Sequence, residues 1–448
     1  MANIMNIDRV RVRGLFRRFD HDLAFPSGES VMIVIGPNGF GKTTTLRLID
    51  LLFSQSIRRL ATFPFQEIAV VFDEGTILSA TRTTEQTRRK KQSHLPLTLS
   101  LQRGSKRKKF NPPTIDDTER LGIPFSAVED FIPHLDRVGH HHWFSKDMGE
   151  MLDFDDVLAY YGDFLPTRFQ HIPSPNPDWL QDILQSVAVR FIDTERLTGR
   201  PAQHRRKRRD IRHARTVRRY SDDLGRSITE SIAKYGTLSQ SLDRTFPTRL
   251  VAGGGRAEGS VDTLRQNLDS IERKRAELEE VGLLEEDPHS IAIPDLLQVD
   301  EPQRDVLAVY VQDAKEKLEV FDDLYEKVST FKRIANSRFH HKQVAVSKKG
   351  VTVTTADGTP VDLEKLSSGE QHQLVMLYEL LFRATGNSLL LIDEPELSLH
   401  VAWQAQFVKD LEETAKLSNF RAILATHSPE IIGDRWDLTV ALNGSIDN

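Results

Sequence analysis

Cysteine is missing from all 448 residues. Disulfides, cysteine-based zinc sites and a cysteine nucleophile are thereby excluded. Long apolar runs are missing too. A membrane helix needs about 18 apolar residues in a row, whereas "VMIVI" and "LLLI" are only strand-sized. The opening "MANIMNIDRVRVRG" has no charged segment followed by an apolar one, so no signal peptide is expected. These absences lead us to expect a cytoplasmic chain with no membrane contact. Apolar residues make up 39 % of the sequence, enough for a sizeable core. The length suits two or three units, or one domain with large insertions.

The formal charge of −5 averages over strong local asymmetry. Residues 82–110 carry ten Lys/Arg against one acid, and residues 200–219 carry ten against Asp210 alone. Between them, residues 111–164 hold twelve acids and three bases. Partners are therefore to be sought in patches, not in the mean.

Along the chain, residues 4–12 and 16–25 read as two strands joined at Gly14. "SVMIVI" (30–35) reads as a buried strand, followed by a glycine-rich loop and a helix from Gly41 to Phe53. "FQEIAVVF", "TILSATR" and "LPLTLSLQ" alternate as an antiparallel meander over 65–102. Residues 111–180 read as mixed and irregular, and "VAVRFID" (187–193) as another buried strand. A basic segment (201–220) and a flexible break at "VAGGGRAEG" (251–259) follow. Val261, Leu264, Leu268, Ile271 and Leu278 then fall at heptad spacing. From Leu307 to Phe331 a second apolar face recurs with helical period. Two helices with a short connection suggest an antiparallel hairpin, either projecting as an arm or packed on a globular body. Strands resume at "QVAVSKKGVTVTT" (343–355). A helix (370–384), the strand "SLLLID" (388–393), a helix (399–416) and the strand "RAILAT" (421–426) complete the pattern. The division expected is an N-terminal head part (1–200), an inserted basic and helical segment (201–335), and a C-terminal head part (336–448).

Chemistry enters with "GPNGFGKTTT", Gly36 to Thr45, which satisfies G-x-x-x-x-G-K-[ST] between a strand and a helix. Backbone amides around Gly36, Pro37, Asn38, Gly39 and Gly41 can cradle phosphate oxygens, aided by the helix N-terminus. Lys42 is the group to reach the β and γ phosphates; Thr43 is the Mg²⁺ ligand, with Thr44 beside it. The strand "SLLLID" ends in Asp393, a second Mg²⁺ ligand, and next comes Glu394, placed to polarise an attacking water as general base. His427, after one further apolar strand, can hydrogen-bond a γ-phosphate and sense its loss. "KLSSGEQHQL" (365–374) lies far downstream of the glycine loop, with most of the chain between them.

In that order, the P-loop, L-S-S-G-E, strand–Asp–Glu and Thr-His segments resemble an ABC-type ATPase head. The resemblance implies an α/β fold with an antiparallel β lobe and an inserted helical, short coiled-coil hairpin. In that family the signature segment caps the nucleotide on the P-loop of a facing subunit. Ser367 and Gly369 would then contact the γ-phosphate in trans, within the binding segment Ser367, Ser368, Gly369 and Glu370, and Glu396 to His400 would lie at the dimer seam. ATP and Mg²⁺ are the implied cofactors, and a head-to-head dimer or higher homo-oligomer the implied assembly. A helical insertion between the motifs is similar to SMC-like and recombination-type ATPases. "GEQHQL", "LIDEPELSLH" and "THSPEII" resemble compact ATPases of bacterial anti-phage defence operons: the PtuA subunit of Septu systems, retron-associated ATPases, and the ATPase subunit of PARIS systems. OLD-family nucleases share the head but add a nuclease domain that is not expected here, so the resemblance implies a separate effector nuclease as partner. A DNA-maintenance ATPase of recombination type is the alternative. The family's Q-loop glutamine is not evident; Thr194, Glu195 and Gln66 stand nearest to its place, and no adenine-stacking aromatic is identifiable.

Weaker features remain. "HRRKRRDIRHARTVRR" (204–219) lines up Arg205, Arg208, Arg212, Arg215 and Arg219 on one helix face. Nucleic acid, an acidic protein surface or plain solvation would suit it equally. "RRKK" and "KRKK", flanking residues 92–105, read as charged hairpin ends, with nucleic-acid contact as the alternative. "HHH" (140–142) has no spaced ligand partner and reads as incidental.

Overall fold

The computed structural model describes residues 5–54, 57–82, 97–112, 132, 135–139, 142–145, 150–153, 157, 176–193, 206–251, 261–285, 300–384, 386–397 and 399–442. They divide into two compact units, 1–200 with 384–448, and 201–383. The strand hairpin and the signature helix thus belong to the second unit.

The first unit opens with β1 (Ile7–Leu15) and β2 (Phe19–Ala24), an antiparallel pair. Their turn is not at Gly14, as the sequence suggested, but at Phe16 and Arg17, both left-handed (φ 54° and 61°). Gly14 (φ 60°) instead marks a shift of register inside β1, with its amide donating to Asp20 Oδ1 at 2.7 Å. A strand glycine at positive φ serves a bulge as readily as a turn. After β3 (Val31–Ile35) come α1 (Lys42–Phe53) and the short α2 (Ile57–Thr62). β4 (Glu67–Phe72), β5 (Ile77–Arg82), β6 (Leu97–Arg103) and β7 (Lys106–Phe110) complete a six-stranded antiparallel sheet in the order β2-β1-β4-β5-β6-β7. Within the stretch read as irregular, β8 (Leu135–Arg137), β9 (His142–Ser145) and β10 (Glu150–Asp153) form a small antiparallel sheet, and α3 (Asp178–Gln185) precedes β11 (Ala188–Asp193).

The second unit contains more helix than the periodicity promised. α4 (Arg206–Val251) runs for 46 residues, about 69 Å at 1.5 Å per residue. Gly225, Gly236 and Pro247 disguise it in the sequence, as do the mostly polar residues of its second half. α5 (Val261–Val281) follows, then α6 (Glu301–Glu319) and α7 (Asp322–Arg338), so the face expected as one helix from Leu307 to Phe331 is broken. Burial continues across that break through Leu318 and Phe321, whose ring lies against Tyr235. Ion pairs tie α4 to α6: the Arg249 guanidinium grips Asp313, and Lys317 Nζ lies 2.8 Å from Asp243 Oδ1. β12 (Lys342–Ser347), β13 (Gly350–Thr355) and β14 (Pro360–Val361) form an antiparallel sheet before the signature helix α8 (Ser368–Tyr378) and a π-helical turn, Glu379–Arg383.

α4 and the β12–β13 turn approach so closely that side chains would not fit between them. The Ser221 hydroxyl accepts from the Val351 amide at 2.8 Å and donates to its carbonyl at 3.3 Å. A Cβ on Gly225 would stand 2.9 Å from both Gly350 N and Lys348 O.

The chain then re-enters the first unit through β15 (Ser388–Asp393), α9 (Val401–Ser418), β16 (Arg421–Ala425), the short α10 (Pro429–Ile432) and β17 (Thr439–Ala441). β11-β15-β16-β3-β17 is an all-parallel sheet. Every residue of β15 is buried, as expected for a strand covered on both faces. One core joins α1, the parallel strands and the inner face of the six-stranded sheet, including Leu46, Ile49, Val34, Leu391, Ile423 and Val70. No helix among the described residues is long and apolar enough to cross a membrane.

Alanine is about 1 kcal/mol better than glycine inside a helix, but at Gly225 the methyl would meet backbone. Gly225→Ala is therefore expected to lower the unfolding midpoint in a thermal melt, with a net loss of about 1–3 kcal/mol. A raised midpoint would show that the approach of α4 to the turn is not tight.

Candidate nucleotide-binding site

Three adjacent parallel strands end at the same level. Ala425 pairs with Val34 and Asp393 pairs with Ala425, so the loops after β3, β15 and β16 emerge side by side. In open α/β sheets, the crevice beyond the strands' carboxyl ends is where ligands bind.

The loop after β3 is Gly36, Pro37, Asn38, Gly39, Phe40 and Gly41, with Gly39 and Gly41 at φ 85° and 84°. Gly41 occupies the N-cap of α1 without any side-chain cap, and its Cβ would meet Leu15 Cδ2 at 2.6 Å. The first amides of α1 are therefore left for an anion rather than a capping hydroxyl. Two residues of β2 brace the loop's tip. His21 Nε2 lies 2.8 Å from the Phe40 carbonyl, and the Phe19 and Phe40 rings stack at 5.1 Å. Burial pushes the His21 imidazole below its ordinary pKa, which suits a neutral ring donating to that carbonyl. Neither bracing residue was singled out by the sequence.

Lys42 is buried, and its ammonium donates to the Gly36 and Pro37 carbonyls at 2.8 and 3.2 Å. Burial lowers its pKa, against the raising pull of Glu394, Asp393 and Glu396. The Thr43 hydroxyl donates to Asp393 Oδ1 at 3.2 Å. This hydroxyl and carboxylate, both hard oxygen donors, fit Mg²⁺. Thr44 follows in the first turn of α1. Glu394 sits in the left-handed region (φ 45°), which is uncommon for a residue with a Cβ, while its amide still donates to the Ala425 carbonyl at 2.9 Å. The His427 ring lies between the two charges: Nδ1 is 3.4 Å from Lys42 Nζ and Nε2 is 3.5 Å from Glu394 Oε1. Lys42, Thr43, Asp393, Glu394 and His427, named from motifs separated by most of the chain, thus converge.

Two further residues join them. Glu396 Oε1 accepts from both the Thr426 hydroxyl and the His427 amide at 2.8 Å, anchoring the loop that carries His427. The Phe16 ring is partly exposed, and one of its carbons lies 3.5 Å from a Cβ placed on Gly41. It thus offers an aromatic face beside the P-loop. Only its position in the β1–β2 turn reveals this. Gln66 lies against Gly14 instead, and Thr194 and Glu195 fall outside the described residues.

In the second unit, Ser367 caps α8 with a reciprocal box. Its hydroxyl accepts from the Glu370 amide at 3.3 Å, while the Glu370 carboxylate takes the Ser367 amide at 2.9 Å. Both oxygens of Glu370 also lie 2.8 Å from Lys342 Nζ. Burial alone would raise the Glu370 pKa, but hydrogen bonds from Lys342 and Ser367 hold it below the usual carboxylate range. Ser368 and Gly369 form the first turn of α8. Of the basic run, Arg205 and the side chains through Arg215 lie outside the described residues. Arg218 pairs with Glu364 at 3.6 Å and Arg219 stands over the Tyr220 ring, so the end of the run serves the fold. His140 and His141 also lie outside the described residues. Among the described residues no metal-ligand cluster occurs.

Strand, glycine loop, uncapped helix and an acidic neighbouring strand end define a P-loop nucleotide-binding fold. The family described as "AAA domain, putative AbiEii toxin, Type IV TA system" matches residues 31–433, and the chain belongs to it. The chain is similar to Protein ea59 of Escherichia phage lambda, 30% identical over 107 residues, which are 24% of this chain and 20% of that protein. It is also similar to the Retron Vc95 probable ATPase of Vibrio cholerae serotype O1 biovar El Tor, 29% identical over 116 residues, 23% of this chain and 21% of that one. The matches thus span about a fifth of these relatives' length. The expected resemblance to retron-associated ATPases therefore holds. Among solved structures, an Smc head domain with an extended coiled coil from Pyrococcus furiosus aligns over 98% of this chain and 94% of that one. Its TM-score is 0.39 at 14% identity, so the fold described above rests on its own topology.

Glu396→Ala removes the anchor of the His427 loop without touching the P-loop. A misplaced catalytic group costs up to about a hundredfold, so kcat for ATP should fall roughly 10–100-fold with KM nearly unchanged. Glu396→Gln, which keeps an acceptor oxygen, should recover most of that loss in steady-state assays. An unchanged kcat in the alanine variant would remove Glu396 from the site.

Proposed function

We propose that this protein is an ATPase serving as the sensor and scaffold of an anti-phage defence complex, in which it binds and restrains a separate effector nuclease. The observation that carries the ATPase reading is the convergence of Lys42, Thr43, Asp393, Glu394 and His427 at three adjacent strand ends. The defence reading draws on the family and on the likeness to a retron probable ATPase.

The mechanism follows from the side chains. On nucleotide binding Lys42 exchanges the carbonyls of its own loop for β- and γ-phosphate oxygens, while the α1 amides hold the β-phosphate. Thr43 and Asp393 would hold Mg²⁺, which supplies charge neutralisation on the phosphates. Glu394 accepts the proton of the attacking water, and His427, between Lys42 and Glu394, registers the presence of the terminal phosphate. Ser367 and Gly369 of a second copy complete the site across a head-to-head interface, so that ATP controls assembly and, through it, the effector. Phe16 presents its ring to the purine.

Glu394→Gln should lose about 10²–10⁴-fold in turnover yet retain ATP, whereas Lys42→Ala should lose nucleotide binding. Phe16→Ala should weaken ATP about tenfold, with kcat little changed, if its ring stacks on the base. Tagged Glu394→Gln protein, co-expressed with its neighbouring genes and purified with ATP and Mg²⁺, should bring down a nuclease in fixed ratio. Recovery of nucleic acid with no protein partner would overturn the defence reading and leave the ATPase reading intact.

A further inference from the structure

We propose that the first unit carries, apart from the strand-end site, a binding groove for single-stranded nucleic acid beside β7. That strand is the outermost of its sheet, and Lys106, Arg107, Lys108 and Lys109 on it are all exposed. Edge strands are commonly protected from edge-to-edge pairing by lysine. Protection alone needs no shaped cavity. Here Lys106 and Lys108, which share one face of the strand, line a cleft of about 590 Å³ together with Arg103. The α3 residues Trp179, Asp182 and Gln185 line the same cleft. Among the described residues, Asp182 is the only acid that lines the cleft, and none of the three cations is paired with a carboxylate. On the other face of β7, Arg107 Nη2 donates to Ser100 Oγ at 3.2 Å.

The chemistry selects the ligand. Three cations with no carboxylate partner among the described residues call for phosphate, and a partly exposed indole calls for a flat ring to stack on it. That combination is how single strands are held without sequence preference. An acidic peptide would use the cations but leave the indole idle. A base in a duplex is already stacked and cannot reach it. Lys106 and Lys108 stand about 6.6 Å apart along a strand rising about 3.3 Å per residue. Arg103 stands across the β6–β7 pair from Lys106, so the three cations cover two directions and the cleft addresses more than one phosphate.

The test uses the full chain and a fluorescein-labelled oligo-dT of about 15 nucleotides, near the upper site size of single-strand modules, read by anisotropy without ATP. Three phosphate contacts predict a log–log salt slope of roughly −2. The combined Arg103→Gln, Lys106→Gln, Lys108→Gln variant should weaken binding at least about tenfold and flatten the slope, with ATP turnover unchanged. Trp179→Leu, which keeps apolar packing, should weaken it about tenfold, and Trp179→Phe should restore it. Four results overturn the proposal. These are undiminished binding by the triple variant, loss in Trp179→Leu no greater than in Trp179→Phe, displacement of the probe by dTMP at concentrations where the oligonucleotide also displaces it, and equal affinity for a duplex of the same length.

Discussion

The arrangement of the candidate site depends on the register of three parallel strands. Val34 stands beside Ala425, and Ala425 beside Asp393. The glycine loop, Glu394 and His427 each follow within a few residues. If β15 slipped by one residue, its side chains would exchange faces, and a strand buried on both sides cannot do this without breaking its packing. The hydrogen bond from the Glu394 amide to the Ala425 carbonyl extends the ladder past Asp393. It pins the residue at a backbone angle that the sheet itself does not favour. The chemical groups therefore sit on loops, but the positions of those loops are set by a rigid apolar scaffold.

Charge in the crevice is deliberately unbalanced. Lys42 faces Asp393, Glu394 and Glu396, whose fields raise its pKa while burial lowers it. Its ammonium is satisfied by two loop carbonyls rather than by an ion pair. A cation held in that way can be transferred to phosphate oxygens without first breaking a strong charge pair. The carboxylates have separate tasks on geometric grounds. Asp393 meets Thr43, Glu394 meets His427, and Glu396 holds the backbone and hydroxyl of the His427 loop.

The second unit is organised by close approach. Ser221 and Gly225, one turn apart on α4, receive the turn at Gly350, and the serine hydroxyl satisfies both backbone groups of Val351. On α8, the Glu370 carboxylate serves the cap and Lys342 together, so the signature turn is tied to β12. A π-helical turn follows directly. There Glu379 accepts from the Tyr220 hydroxyl of α4, whose pKa burial and that carboxylate push up to about 12.

Local physics made much of this legible. The P-loop, the acidic strand end and the Thr-His segment are short patterns whose chemistry follows from neighbouring residues, and the meander over 65–102 shows itself by alternation and turn signals. The capping box at Ser367 is likewise local. What depended on distant partners was hidden. Helix α4 carries glycines and an internal proline, which weaken a helical pattern, and its packing against β13 and α6 supports it. The β1–β2 turn lies at Phe16 rather than Gly14 because pairing with β2, not residue type, chose it. Phe16, His21 and Glu396 gained their places beside the P-loop only when strands far apart in sequence were laid side by side. Residue identity over a few positions determined which chemistry the chain can hold. Long-range strand pairing and burial decided where that chemistry stands and what supports it.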